Sequence, residues 1–308
     1  MKQKVVAILG PTATGKSACA IELARRLNGE IISGDSMLVF KNMNIGTAKP
    51  TAKELALVPH HLVDILPPDA QFSVVDFKQQ AEALIEDITA RGKLPIIAGG
   101  TGLYIKAVLE NYSFNEVDED KDLRLELERE AEAKGPEVLY KRLQELDPEA
   151  ASIIHPNNVR RVIRALESAL KGGHVSQEVS AEPPYDALVF GLNMERDFLY
   201  ERINKRVDIM LEQGLVQEVK QLLEQGVPTT CQSMQSIGYR QMVWYLEQGM
   251  AYEEAVDKLK QATRNFAKRQ LTWYRKMPYI KWYEVSRELP YDEIINAMSQ
   301  EIEKWQNH

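Results

Sequence analysis

Cysteine is almost missing from this chain, with two in 308 residues. Cys19 and Cys231 stand far apart and in no Cys-x-x-Cys or Cys/His spacing. That excludes a disulfide framework and a zinc knuckle. No apolar run approaches the roughly 20 residues that span a bilayer, so neither a transmembrane segment nor a membrane partner is expected. Low-complexity tracts and fixed-period repeats are absent, which excludes solenoids and disordered arrays. Met1-Lys2-Gln3-Lys4 runs straight into an apolar stretch, so a signal or transit peptide is not expected and the cytoplasm is the expected compartment. An overall positive charge is missing too. The formal net charge is −7, which speaks against a chain that coats nucleic acid with its whole surface.

What is present is an ordinary globular composition, 44% hydrophobic and 27% charged, at a length that suits one large domain or two modest ones. The charge is unevenly distributed. Between Glu116 and Glu132 nine acids face only Lys121, Arg124 and Arg129. Between Ala255 and Lys281 eight basic residues face one acid, Asp257. A basic segment in an acidic body is a local, directional feature.

The most informative stretch is Gly10-Pro11-Thr12-Ala13-Thr14-Gly15-Lys16-Ser17. It follows the apolar run Val5-Val6-Ala7-Ile8-Leu9 and opens a helical period over 17–27. Strand, glycine loop and helix form the context of a phosphate-binding loop. Glycines let backbone N–H groups curl around an anion, and the helix N-terminus adds partial positive charge there. Lys16 can reach terminal phosphates and the Ser17 hydroxyl can ligate Mg²⁺. The loop indicates a polyphosphate. It does not say which one.

Apolar spacing predicts strands over 5–9, 30–33 and 94–98, and helices over 17–27, 49–57, 74–91 and 103–110. This alternation implies an α/β fold, a P-loop NTPase-like parallel sheet wrapped by helices. Ligands in such sheets sit at the carboxyl ends of strands, where the loops 10–17, 34–36 and 99–102 would converge. The alternation then stops. We expect the first part of the core over 1–114, a helical insertion over 115–156, a return to the core over 157–195 with a strand at 187–192, and a helical C-terminal part over 196–308.

Several side chains could carry chemistry. Asp35 follows a strand end, where a carboxylate serves as general base or as turn former. Gly99-Gly100-Thr101-Gly102 could bind phosphate or orient a nucleophile, or simply join strand to helix. Arg160 and Arg164 share a helix face with Arg161 beside them, which suits a diphosphate, a nucleic-acid backbone or open water. The segment from Thr263 to Lys276 interleaves Arg264, Lys268, Arg269, Arg275 and Lys276 with Phe266, Trp273 and Tyr274. That pattern grips phosphates and stacks bases, or is an amphipathic helix with an aromatic core face. Adjacent His60 and His61 point in different directions and make poor paired metal ligands.

Taken together, these motifs resemble the bacterial tRNA dimethylallyltransferases, which are similar to a wider isopentenyltransferase group. The resemblance rests on the 10–17 loop, Glu30-Ile31-Ile32-Ser33-Gly34-Asp35-Ser36, Ile45-Gly46-Thr47-Ala48-Lys49-Pro50 and Pro59-His60-His61-Leu62-Val63-Asp64. It continues through Gly99-Gly100-Thr101-Gly102-Leu103-Tyr104, Arg161 to Glu167, Ile237-Gly238-Tyr239 and Lys268-Arg269-Gln270-Leu271-Thr272-Trp273. The resemblance implies transfer of a dimethylallyl group from its diphosphate to N6 of adenosine 37, beside a tRNA anticodon. It implies that Gly10 and Thr12 to Ser17 hold the donor diphosphate, with Arg164 assisting and Mg²⁺ at Ser17. It implies Asp35 as base and Thr101 as orienting residue. It places Asp35, Ser36, Met37, Leu38, Thr101, Arg124, Arg160, Arg161, Arg164, Lys268 and Arg269 against the tRNA. The enzyme is expected to work as a monomer. Ser17 stands where Thr is commoner, Leu38 and Phe40 where Gln and Tyr are frequent, and Asn44 where Asp is frequent. A prenyltransferase acting on free adenylate and a small-molecule kinase share the loop and compete with this reading.

Overall fold

The computed structural model describes residues 2–112, 120–172, 182–288 and 291–307. The chain divides into two units, one formed by Met1–Glu110 with Glu182–His308, the other by Asn111–Ala181.

The first unit is built on a six-stranded sheet. Its strands are β1 (Lys4–Leu9), β2 (Gly29–Ser33), β3 (His60–His61), β4 (Leu94–Ala98), β5 (Asp186–Met194) and β6 (Lys281–Val285). They run parallel in the order β3-β2-β4-β1-β5-β6. A strand covered on both faces carries a continuous apolar run, and Val5 to Leu9 are all wholly buried. The helices of this unit are α1 (Lys16–Arg26), α2 (Ala52–Leu55), α3 (Val74–Ala90), α4 (Gly102–Leu109), α9 (Arg196–Glu212), α10 (Leu215–Glu224), α11 (Tyr239–Glu247), α12 (Tyr252–Tyr274) and α13 (Tyr291–Gln306). Ser73 caps α3 by accepting the Asp76 N–H, with the Asp76 carboxylate returning to Ser73.

The order of strands decides where the site lies. β2, β4 and β1 are neighbours, so the loops leaving Ser33, Ala98 and Leu9 stand side by side at one end of the sheet. The convergence expected of these three loops is what the topology produces.

Two expectations are corrected. The stretch 196–308 is not helical throughout, because β6 adds a sixth parallel strand against β5. Lys-Trp-Tyr-Glu-Val is a short, largely exposed edge strand whose pattern is too brief to separate from a helix turn. The two-residue β3 was likewise below the length that periodicity can detect.

The second unit packs α5 (Lys121–Lys134), α6 (Pro136–Leu146), α7 (Pro148–Ile153) and α8 (Val159–Leu170) around Leu127, Leu139, Leu143, Ile154, Val162 and Leu166. Pro136 and Pro148 stand at the first position of their helices, where the missing N–H costs nothing. Asp147 caps α7 by accepting the Ala150 N–H at 2.9 Å. The boundary expected at 156 moves. α8 belongs to this unit because Val162, Ile163 and Leu166 bury against its other helices. The expected insertion start at 115 and the acidic stretch 116–119 lie outside the described residues.

Candidate active site

The phosphate loop leaves β1 at Leu9 and ends on the first turn of α1. Gly15 at its end adopts φ 87°. Inside the loop the Thr14 hydroxyl and the Lys16 ammonium each donate to the Pro11 carbonyl at 2.8 Å. Ser17 is exposed on the first turn of α1.

The neighbouring loop, after β4, approaches very closely. A Cβ on Gly99 would lie 2.2 Å from the Gly34 carbonyl carbon, so only glycine lets the two backbones meet. Thr101 N–H donates to Gly34 O at 3.1 Å, and Ser36 N–H donates to the Thr101 hydroxyl at 3.1 Å. Thr101 therefore ties the 35–38 loop to the start of α4.

Asp35 sits at this junction. Its Oδ1 accepts the Met37 N–H at 2.9 Å. Its Oδ2 faces the Gly100 side, 3.7 Å from where a Gly100 Cβ would stand. The Met37 and Leu38 amides both hold the carboxylate on the turn, with Oδ2 towards the Gly100 side. Burial raises the Asp35 pKa, against the Met37 amide, Lys16 and Arg206, which pull it down. Burial also pushes Lys16 down to about 7, with the Arg206 charge adding to the effect and Asp35 opposing it. Arg206 itself is lowered by burial. Lys16, Asp35 and Arg206 therefore form one electrostatic cluster, in which two cations surround one acid.

Arg206 and Gln270 are site residues that reading the sequence missed. Arg206 lies on the central turns of α9, where nothing in Asn204-Lys205-Arg206-Val207 marks it out. Gln270 is buried on α12. Its Oε1 accepts the Thr12 N–H at 2.9 Å and its Nε2 donates to Gly100 O at 2.8 Å. The Tyr274 hydroxyl also donates to Gly100 O, at 2.9 Å. One amide thus joins the phosphate loop to the Asp35 side of the crevice. The only signal for it was a polar residue on the apolar face of α12. Replacing Gln270 by leucine keeps the volume and leaves the Thr12 N–H without its acceptor. Urea unfolding should show a loss of about 1–3 kcal/mol, with activity falling further than stability.

On the same helix Lys268 and Arg269 are exposed, as is Trp273, while Tyr274 is wholly buried. α12 is therefore split: one face completes the crevice and the other presents cations and an indole to solvent.

The motif around Ile45 serves as scaffold. The buried Glu218 carboxylate accepts N–H groups from Asn44, Ile45 and Gly46 and the Tyr239 hydroxyl. It holds the chain that continues from Leu38. Phe40 is wholly buried and Leu38 half-buried, so neither offers a polar contact. His61 pairs with buried Glu30, as do Arg91 and Lys93, a structural ion cluster at an edge of the sheet.

The remaining expected residues belong to the helical unit. Arg160, Arg161 and Arg164 are exposed on α8, opposite its apolar face. Arg124 is paired with the buried Glu167 carboxylate at 2.7 Å, so it also anchors α5 to α8.

Ser17 fits a magnesium site in one respect: its hydroxyl is exposed on the turn that follows Lys16. No cluster of three or more His, Cys, Asp or Glu that could hold a metal occurs among the described residues. Mg²⁺ keeps several waters and takes few protein ligands beside substrate phosphates.

Comparison with known proteins places the chain among relatives. Residues 38–277 match the family model described as IPP transferase. The chain is 47% identical over 289 residues to a tRNA dimethylallyltransferase of Oceanobacillus iheyensis, covering 92% of each. It is 50% identical over 296 residues to one from an Exiguobacterium species, covering 95% of each. A solved structure of the tRNA isopentenylpyrophosphate transferase of Bacillus halodurans matches with a TM-score of 0.75 at 46% identity, covering 100% of both chains. A eukaryotic dimethylallyltransferase acting on tRNA matches with a TM-score of 0.82 at 30% identity, over 98% of this chain and 80% of that one. With a family model covering most of its length and relatives near half identity over nearly all of it, this chain belongs to the IPP transferase family.

Proposed function

We propose that this chain is a tRNA dimethylallyltransferase, moving the dimethylallyl group of dimethylallyl diphosphate to N6 of adenosine 37 beside the anticodon. The observation that carries the reading is the cluster in the crevice: a phosphate loop with Lys16 and Arg206 faces a half-buried carboxylate, Asp35, whose Oδ2 lies towards Gly100. A leaving diphosphate and a proton acceptor are what this transfer needs.

The exocyclic amine of adenine is a poor nucleophile, because its lone pair is delocalised into the ring. The allylic carbon accepts it once the departing charge is neutralised. The bond from N6 to that carbon forms as the bond from carbon to the diphosphate oxygen breaks. The N6 proton passes to Asp35 Oδ2, and diphosphate leaves with the electron pair. Loop N–H groups, Lys16 and Arg206 stabilise the growing charge on the diphosphate. Arg206 of the core joins Arg164, which the resemblance implies, as a candidate for this role. Mg²⁺ held at Ser17 would supply further neutralisation of the diphosphate oxygens. A raised Asp35 pKa makes the carboxylate a stronger base. Thr101 acts by fixing the Asp35–Leu38 turn against which the base lies. Adenosine 37 must be unstacked to enter, at a cost of a few kcal/mol. The exposed Lys268, Arg269 and Trp273 of α12, and the arginine face of α8, grip RNA phosphates and offset that cost.

Incubation with labelled dimethylallyl diphosphate and either unmodified tRNA or AMP tests the acceptor. Label should enter tRNA, and nucleoside mass analysis should find it on the adenosine 3′ to the anticodon. Label on AMP instead would replace the acceptor. Phosphate transfer from ATP, with ATP displacing the donor, would replace the reaction.

A further inference from the structure

We propose that Tyr291, the first residue of α13, is a positioning residue for the donor diphosphate, working with Arg202 of α9 from outside the phosphate loop. This rests on reading the loop as the cradle of that diphosphate.

In a trans peptide the carbonyl of one residue and the N–H of the next point in opposite directions. The direction of a loop N–H is therefore set by whatever holds the preceding carbonyl. The Tyr291 hydroxyl donates to the Thr14 carbonyl. Arg202 Nε donates to the Ala13 carbonyl at 2.9 Å. Two successive carbonyls are thus held on the outer side of the loop. The Gly15 and Thr14 N–H groups that follow them are turned to the opposite side. Neither N–H donates to a protein acceptor among the described residues. They are the free donors that an anion would take.

The Tyr291 ring is fixed independently of the loop. It packs against the core cluster that α13 shares with α1 through Cys19, Ile295 and Met298. It also stands so close that a Cβ on Gly15 would lie 2.2 Å from its hydroxyl oxygen. The internal ties of the loop do not do this work. The Thr14 hydroxyl and Lys16 both reach back to Pro11 and fix only the start of the loop. Without an outside hold, the 13–14 and 14–15 peptides are free to rotate, and the donor must order them on binding. With it, the N–H groups are already aimed, and the cost of ordering the loop is removed from donor binding. Tyr291 and its helix lie beyond residue 277, where the family model ends.

Tyr291→Phe keeps the ring and removes the one hydroxyl. Calorimetry with inorganic diphosphate should show Kd raised about five- to tenfold, the worth of about one hydrogen bond. Donor KM should rise with it, while tRNA KM and the urea midpoint stay nearly unchanged. Arg202→Gln should weaken diphosphate in the same selective way. Lys16→Ala is the control. If Lys16→Ala weakens diphosphate binding and Tyr291→Phe does not, Tyr291 does not position the loop and the proposal falls alone. If neither variant weakens it, the loop is not the diphosphate cradle and both readings fall. If Tyr291→Phe weakens diphosphate, tRNA and the fold in equal measure, its role is general support and the proposal is overturned.

Discussion

Asp35→Asn is expected to lower kcat by about 10²–10⁴, while the KM for donor and for tRNA each stay within a few-fold. Asparagine retains an acceptor for the Met37 N–H, so the 35–38 turn and the Thr101 contact to Ser36 persist. What is lost is the ability of Oδ2 to take the N6 proton. The split between kcat and KM is the test. A fall in tRNA affinity as large as the fall in turnover would make Asp35 a binding residue. The pH dependence gives a second check. Burial raises the Asp35 pKa, so the wild-type rate should fall on the acid side as the carboxylate becomes protonated, and the residual rate of Asp35→Asn should lack that limb.

Lys16→Ala is expected to weaken binding of dimethylallyl diphosphate and of inorganic diphosphate by about a hundredfold or more, with tRNA binding retained. This is a charge removed from a half-buried site, where its effect is larger than in water. The lowered pKa adds a distinctive signature. Burial pushes Lys16 down to about 7, so above that pH the free enzyme is expected to hold it largely neutral. A bound diphosphate favours the charged ammonium. Binding at pH 8 should therefore draw about one proton onto the enzyme. Calorimetry in two buffers of different ionisation enthalpy reads this uptake directly. It should vanish in Lys16→Ala, apart from protons taken or released by the ligand itself. Loss of tRNA binding in place of donor binding would show that the loop holds RNA instead.

Much of the core was legible because its signals are local. The apolar runs of β1 and β4, the helical period of α3 and the glycine loop each lie within fewer than 20 residues. A parallel sheet with a ligand at its carboxyl ends follows from their alternation. β3 and β6 were not legible: two residues, and five mostly exposed ones, carry no resolvable period, and they form because β2 and β5 offer an edge.

The Arg164 assignment shows the limit more sharply. Its basic helix was expected in the return to the core, because an amphipathic stripe shows that a face is buried but not against what. Only the packing of Val162, Ile163 and Leu166 assigned α8 to the helical unit, and only the fold brought Arg206 into the electrostatic cluster with Lys16 and Asp35.

The sequence alone therefore determined the phosphate loop, the carboxylate at the end of β2, the α/β class and, through the ordered motifs, the family. Tertiary structure alone decided how the loop is held. Thr12 meets Gln270 across 258 residues, Thr14 meets Tyr291 across 277, and Ala13 meets Arg202 across 189. Such partners leave no periodic trace in the chain. A single glutamine, tyrosine or arginine on a helix becomes a site residue only when strand order and helix packing bring its polar end to one backbone group, and that depends on the whole sheet being assembled.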